Sequence, residues 1–365
     1  MSSSTKTLTE GAVVTSASEA GRDRSLDGFR AVAVLGVIAG HALAYRYTDA
    51  VESNGMLLHQ IGRLAGSFAD TGVYIFFAIS GYIITTLMLR EEAREGRFSL
   101  AAFYVRRSLR ILPPFAAFLA ALALLAANRL IEFQPAQIIN AAAFSCNTGL
   151  TECSWYIAHT WSLAVEEQYY LVWPLLFTLI APPKRHQFAA VTTLLLITAF
   201  VLLPWDWHSN TVSFACIAAG ATCALQPHWR EALERVGGVW SWSFAVLFAL
   251  LGPLLVGLRV VEAVMPALAV FLLFGGRRIR LLRRVLESAP LQLIGAMSYS
   301  LYLWQQLFLA APTRYSMEPP PVWLLPIAAW LSLVVIERPC IRLAHRLSRG
   351  IMQRRSARHA LASAG

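Results

Sequence analysis

The sequence predicts an all-α protein: a polytopic bundle of about ten transmembrane helices with both termini in the cytoplasm. Three observations carry this. Of 365 residues, 57% are hydrophobic and only 14% charged, against roughly 25% charged in a soluble domain. The apolar residues fall in runs long enough to cross a bilayer. The arginines and lysines fall almost entirely in alternate connections between those runs.

The runs predict helices at 26–46, 68–89, 112–131, 160–181, 187–204, 211–226, 239–258, 260–274, 290–311 and 322–343. The runs at 211–226 and 260–274 are the shortest. Arg90, Arg94, Arg97, Arg106, Arg107 and Arg110 follow the second run. Lys184 and Arg185 follow the fourth, Arg230 and Arg235 the sixth, and Arg277, Arg278, Arg280, Arg283 and Arg284 the eighth. Arg338, Arg342, Arg346 and Arg349 close the tenth. The intervening connections hold Arg63, Arg259 and Arg314. Positive charge concentrates on the cytoplasmic side, which places both termini there and supports an even helix count.

Residues 1–24 are rich in Ser, Thr, Ala and Gly and are expected to be a disordered cytoplasmic tail. They lack the apolar core of a signal peptide. Residues 25–345 form the membrane domain, and 346–365 are expected to be a basic, unstructured cytoplasmic tail. The net charge of +10 does not indicate nucleic acid binding, because the basic residues sit in short clusters between apolar runs. Cys146 and Cys153 fall in the connection after the third run, on the non-cytoplasmic side where disulfides persist, and are expected to bridge. Cys216, Cys223 and Cys340 read as packing residues. No metal is expected.

Charged groups in the hydrocarbon region are expensive and mark functional sites by default. The first run contains Asp27, Arg30 and His41. Eleven residues return a helix to nearly the same face, about 16 Å further along. One face thus carries a cation near the cytoplasmic end and an imidazole past the midplane. Two plainer readings stand beside this: Arg30 as a snorkelling partner of Asp27, and His41 as a polar group satisfied by a neighbouring helix.

The fourth run starts His159-Thr160-Trp161-Ser162 and carries Glu166 and Glu167. Entering from the outer side, Glu166 lies about 10 Å deep. His41 and Gln305 of the ninth run each lie roughly 22 Å from the cytoplasmic side, so polar groups of three helices meet at a similar level. Such a level suits either a cavity or interhelical hydrogen bonding. Arg107 and Arg110 share a face as they enter the third run. Planar guanidinium groups suit phosphate, although topogenic charge accounts for some of these arginines.

Together these stretches resemble the acyltransferase-3 family of membrane acyltransferases. The matching segments are Ser25 to Arg30 with His41, Gly72 to Tyr82, Arg106 to Pro114, Thr160 to Pro174, Ser298 to Trp304, and Ile336 to Pro339. In this order they span nearly the whole chain. The resemblance implies transfer of an acyl group, often acetyl, from a coenzyme A thioester to a sugar hydroxyl of a cell-surface polysaccharide, lipopolysaccharide or lipid-linked glycan. It implies a multi-pass protein of a bacterial cytoplasmic membrane, with acetyl-CoA as donor and a glycan as acceptor.

The family's Arg–ten residues–His pair falls on Arg30 and His41, its paired arginines on Arg107 and Arg110, and its Trp-Ser-Leu…Glu-Glu segment on Trp161 to Glu167. Under this reading His41 is the general base or takes the acyl group itself. Glu166 orients the imidazole, and Ser80, Tyr302 or Gln305 stabilise the developing oxyanion. Asp27, Trp161 and Glu167 support the site. The family commonly has His after Tyr-Leu-Trp in the ninth run, whereas this chain has Gln305. A hydrogen-bonding role carries over to that position, but a proton-transfer role does not. Some relatives add a soluble esterase-like domain after the membrane part, and none is expected within these residues. The competing class is a transporter or flippase for a glycan or glycolipid, for which the sequence lacks an internal repeat.

Overall fold

A computed structural model describes residues 23–51, 56–134, 136–149, 152–202, 208–309 and 320–363. These residues form a helical bundle without a β-strand. In chain order the helices are α1 (Arg24–Val51), α2 (Met56–Glu95), α3 (Leu100–Ala127), α4 (Gln137–Ala142), α5 (Trp155–Ala158), α6 (Thr160–Leu179), α7 (Arg185–Leu202) and α8 (His208–Leu225). Then come α9 (Pro227–Val236), α10 (Val239–Leu255), α11 (Leu258–Gly275), α12 (Arg280–Leu286), α13 (Ala289–Leu309) and α14 (Leu325–Leu331). A π-helical turn, Ser332–Glu337, joins α14 to α15 (Arg338–Ser363).

Helix covers the greater part of each predicted apolar run, with 203–204 and 310–311 outside the described residues, but six helices are both long and apolar enough to cross a membrane. A seventh is reached if the pair Pro227–Val236 and Val239–Leu255, bent by 99°, counts as one span. The expected count of about ten is therefore not met by length and hydropathy. Helices α6 and α13 fall short for a specific reason. They carry Glu166, Glu167 and Gln168, and Ser298, Ser300, Gln305 and Gln306, whose polarity offsets their leucines.

Other boundaries differ too. The third helix starts at Leu100 rather than 112, because Ser99 caps it, its Oγ accepting from the Ala102 N–H at 3.4 Å. Pro113 and Pro114 lie inside this helix rather than at its start, as membrane helices tolerate. The chain beyond 346, expected to be unstructured, continues α15 to Ser363. Arg, Leu, Met, Gln and Ala there are good helix formers, and Ala344 and Ser348 are buried. Of the expected N-terminal tail, residues 1–22 lie outside the described residues, and Arg24 already opens α1. Most of the 312–321 connection, with Arg314, also lies outside them.

Small residues bring helix backbones together. A Cβ on Gly81 of α2 would sit 1.8 Å from the Ile217 carbonyl oxygen, and one on Gly220 of α8 would sit 2.0 Å from that of Ala78. The same happens between α1 and α13, where a Cβ on Gly295 would meet the Asp27 oxygen at 2.1 Å. Along α1 and α2, Cβ atoms on Gly40 and Gly72 would each lie 2.5 Å from the carbonyl oxygens of Ala65 and Ala33 respectively. Close approach through small residues is how helices associate where surrounding lipid removes the hydrophobic drive.

Ionic contacts gather at one end of the bundle. Arg106 pairs with Glu91 at 2.5 Å and Arg185 with Glu92 at 2.6 Å. Arg277 pairs with Asp23. At the opposite end Cys146 and Cys153 are disulfide-bonded. Between them lies Asn147, whose side-chain amide exchanges two hydrogen bonds of 3.0 Å with that of Gln168 on α6.

Candidate active site

Five helices wall a cavity of about 150 Å³. Arg30 reaches it from α1, Phe76 and Ser80 from α2, and Arg107 and Arg110 from α3. Ser162, Glu166 and Tyr170 come from α6, and Ser298, Tyr299 and Tyr302 from α13. The polar residues recur at helical spacing on α6 and α13, so one face of each helix turns inward, while Leu171, Leu175 and Leu179 of α6 and Leu293 of α13 are exposed.

Within the cavity the Ser80 hydroxyl donates to Glu166 Oε1 at 2.5 Å. The Arg107 guanidinium stacks over the Tyr170 ring at 4.4 Å. Arg30 Nη1 lies 3.8 Å from Asp27 Oδ1, behind the wall. Among the described residues no carboxylate oxygen comes within 4.0 Å of Arg107 or Arg110. Glu166 is within electrostatic reach of both Arg30 and Arg107. The wall thus offers guanidinium groups to an anion, with a carboxylate and several hydroxyls alongside.

Tyr302 donates its hydroxyl to the His159 carbonyl at 2.9 Å and lies 2.6 Å from Ser162 Oγ. This ties α13 to the start of α6. His159 itself is buried, with Nδ1 at 2.6 Å from Gln306 Oε1 and Nε2 at 3.0 Å from the Leu303 carbonyl oxygen.

The residues expected from sequence divide into two groups. Arg30, Ser80, Arg107, Arg110, Glu166 and Tyr302 share the cavity. His41 and Gln305 lie together off its wall. The His41 ring is edge-on to Trp155, with ring centroids 6.1 Å apart. Gln305 is fully buried and faces the imidazole without reaching hydrogen-bond geometry. His41 Nδ1 and both amide atoms of Gln305 are buried without a hydrogen-bond partner. Glu166, expected to orient the imidazole, is bonded to Ser80 instead.

Trp161 stands outside the wall, edge-on to Phe77 with centroids 6.0 Å apart. Glu167 does not line the cavity; its Oε1 is buried and unpartnered, and the carboxylate is within electrostatic reach of Arg107. Among the described residues no three His, Cys, Asp or Glu side chains group to hold a metal ion.

Two polar residues next to the site lie in segments singled out in the sequence but were not among the expected site residues. His159 reads as a helix boundary. Glu337 is a carboxylate within the last apolar run, which is itself the signal that marks it. It is buried and accepts a hydrogen bond from Ser300.

The profile of an acyltransferase domain family, acyltransferase-3, matches residues 23–336. The chain belongs to this family. Its relatives include the Staphylococcus aureus (strain NCTC 8325) protein named "O-acetyltransferase OatA", 28% identical over 369 residues, covering 86% of this chain and 55% of that one. A second, from S. aureus strain COL, is named "Putative O-acetyltransferase SACOL0978" and is 35% identical over 181 residues, covering 44% of this chain and 26% of that one. The acyltransferase chain thus spans about half of the first relative and about a quarter of the second. No solved structure matches it.

Proposed function

We propose that this acyltransferase moves an acyl group, acetyl by preference, from acyl-CoA to a sugar hydroxyl of a cell-surface polysaccharide, lipopolysaccharide or lipid-linked glycan. In this reading the chain crosses the bacterial cytoplasmic membrane about ten times, with both termini inside. The observation that carries the reading is the convergence of Arg30, Arg107 and Arg110 on one cavity with Glu166, Ser80 and Tyr302. The name of the relative OatA supports the acetyl group and the oxygen acceptor.

Coenzyme A is a cytoplasmic polyanion, and guanidinium groups without a close carboxylate suit its phosphates. The ionic end of the bundle, with Arg106, Arg185 and Arg277, is assigned to the cytoplasm, and the disulfide end to the outside. The pantetheine arm then runs along the cavity toward His41, about 16 Å beyond Arg30 on the same helix.

His41 takes the proton of the acceptor hydroxyl as its oxygen attacks the thioester carbonyl. The carbon–sulfur bond breaks, and the imidazolium returns the proton to the departing CoA thiolate. The Gln305 amide, whose N–H groups meet no acceptor among the described residues, is assigned to the tetrahedral oxyanion, whereas the Tyr302 hydroxyl is engaged by the His159 carbonyl. In the alternative route His41 carries the acyl group first. Rapid quenching with labelled acetyl-CoA separates the two, since only the second leaves label on His41.

The direct test is transfer from radiolabelled acetyl-CoA to glycan by the purified protein. His41→Ala is expected to lower transfer by at least about a hundredfold with the fold intact. Full transfer by that variant removes His41 from the mechanism. Arg110→Ala is expected to raise the KM for acetyl-CoA, and an unchanged KM assigns Arg110 to topology alone.

A further inference from the structure

Glu337 lies behind the arginine wall rather than on it. It ends the π-helical turn Ser332–Glu337, and such turns are rare and often sit at functional sites. The carboxylate is 3% exposed. Its Oε1 accepts from the Ser300 hydroxyl, which is itself fully buried. The cations in its electrostatic reach are Arg110, Arg30 and Arg338. Arg110 in turn feels Arg30 and Arg107 as like charges.

Three guanidinium groups facing one small cavity repel one another, and burying such charge unbalanced costs several kcal/mol. The protein sets four carboxylates around them: Asp27 beside Arg30, Glu166 held by Ser80, Glu167 within electrostatic reach of Arg107, and Glu337 held by Ser300. Glu337 balances Arg110 through space, without coming within 4.0 Å of it. The N–H groups of Arg110 therefore stay available to another anion.

We infer that Glu337 is the resident counter-anion of Arg110, a positioning residue that stabilises the arginine cluster in the absence of the donor and opposes the donor's phosphates once they bind. The inference rests on the reading of the arginines as the acyl-CoA site. Its consequence is weaker binding of both acyl-CoA and product CoA, which favours turnover over retention of CoA.

The test uses the full-length protein in detergent with CoA as the probe. Glu337→Gln removes the charge and keeps an oxygen for Ser300. It is expected to lower Tm without CoA, enlarge the CoA-induced rise in Tm, and tighten the CoA Kd by roughly tenfold. A role in packing alone lowers Tm with and without CoA alike, and an equal or smaller CoA-induced rise overturns the inference.

Ser300→Ala gives the opposite sign. It frees the carboxylate to close on Arg110, so CoA binding is expected to weaken several-fold. If Glu337→Gln cannot be purified folded, an unchanged CoA affinity in Ser300→Ala overturns the inference. A wild-type protein whose Tm does not respond to CoA overturns the donor reading itself, and the counter-anion role with it.

Discussion

Ser80 and Glu166 join α2 to α6 through a hydrogen bond of 2.5 Å at the wall of the arginine cavity. Hydrogen bonds to a charged group contribute about 1.5–3 kcal/mol. Ser80→Ala is therefore expected to lower kcat by about ten- to a hundredfold. Ser80→Thr, which restores the hydroxyl, should recover most of it. Unchanged kcat in Ser80→Ala would show that the orientation of Glu166 is immaterial to transfer.

Gln305 offers a separation of function from stability. Both its amide atoms are buried without partners, so replacing it by an apolar residue of similar size should leave the fold unharmed or slightly more stable. Gln305→Leu is expected to keep or raise Tm while lowering kcat by about tenfold or more. Gln305→His is expected to keep transfer, since it places a hydrogen-bonding ring at the same point. Thermal denaturation and kinetics on the same preparations check both. Wild-type kcat in the leucine variant would exclude Gln305 from the chemistry.

Gly81 and Gly220 allow α2 and α8 to touch backbone to backbone. Alanine at either position forces the helices apart, and the cost is expected to reach or exceed about 3 kcal/mol. Gly81→Ala and Gly220→Ala should lose the monodisperse, detergent-extracted peak in size-exclusion chromatography. Gly66→Ala is the control, because no heavy atom lies within 4 Å of its Cβ position. A normal peak for Gly81→Ala would contradict the packing.

The Cys146–Cys153 bridge closes a short loop, with seven residues of sequence separation. Loops of this size contribute about 2–3 kcal/mol when crosslinked. Reductant, or the double change Cys146→Ser with Cys153→Ser, is expected to lower Tm by several degrees. Mass spectrometry after alkylation under non-reducing conditions should find both cysteines blocked. Two alkylated cysteines would refute the bridge.

The helical framework was legible because apolar runs report it directly. Harder to read were places where a helix spends its polarity on the interior. Arg106 to Arg110 looked like a connection, yet they belong to α3 because its arginines turn to the cavity and to Glu91. The short amphipathic helix α9, with exposed Trp229, lies between runs and left no apolar signal of its own.

For the site, six of the residues expected from sequence line the cavity, Arg30, Arg107, Arg110 and Glu166 through motif segments and Ser80 and Tyr302 as candidate donors. Their pairings were not legible, because Ser80 and Glu166 are 86 residues apart and meet only when α2 and α6 pack. Glu337 falls in the matching Ile336 to Pro339 segment, but no role was assigned to it, because near the end of the last run a carboxylate passes for an interfacial one. The wide turn at Ser332–Glu337 leaves no mark in hydropathy.

The glycine contact between α1 and α13 has a mechanical consequence. With Gly295 against Asp27, and Gly28 against the Leu286 oxygen at a Cβ distance of 2.3 Å, the start of α1 is pinned on two sides. That point acts as a fulcrum. His41 stands about 20 Å along one arm and Gln305 about 15 Å along the other. A tilt of about 5° would sweep His41 by nearly ~2 Å, when ~1 Å of misplacement suffices to slow a reaction a hundredfold. Because α2 is seamed to α1 at Gly40 and Gly72, Ser80 would swing with His41. Volume changes at the pinned end, far from the imidazole, should therefore appear first in turnover, before any loss of the folded state.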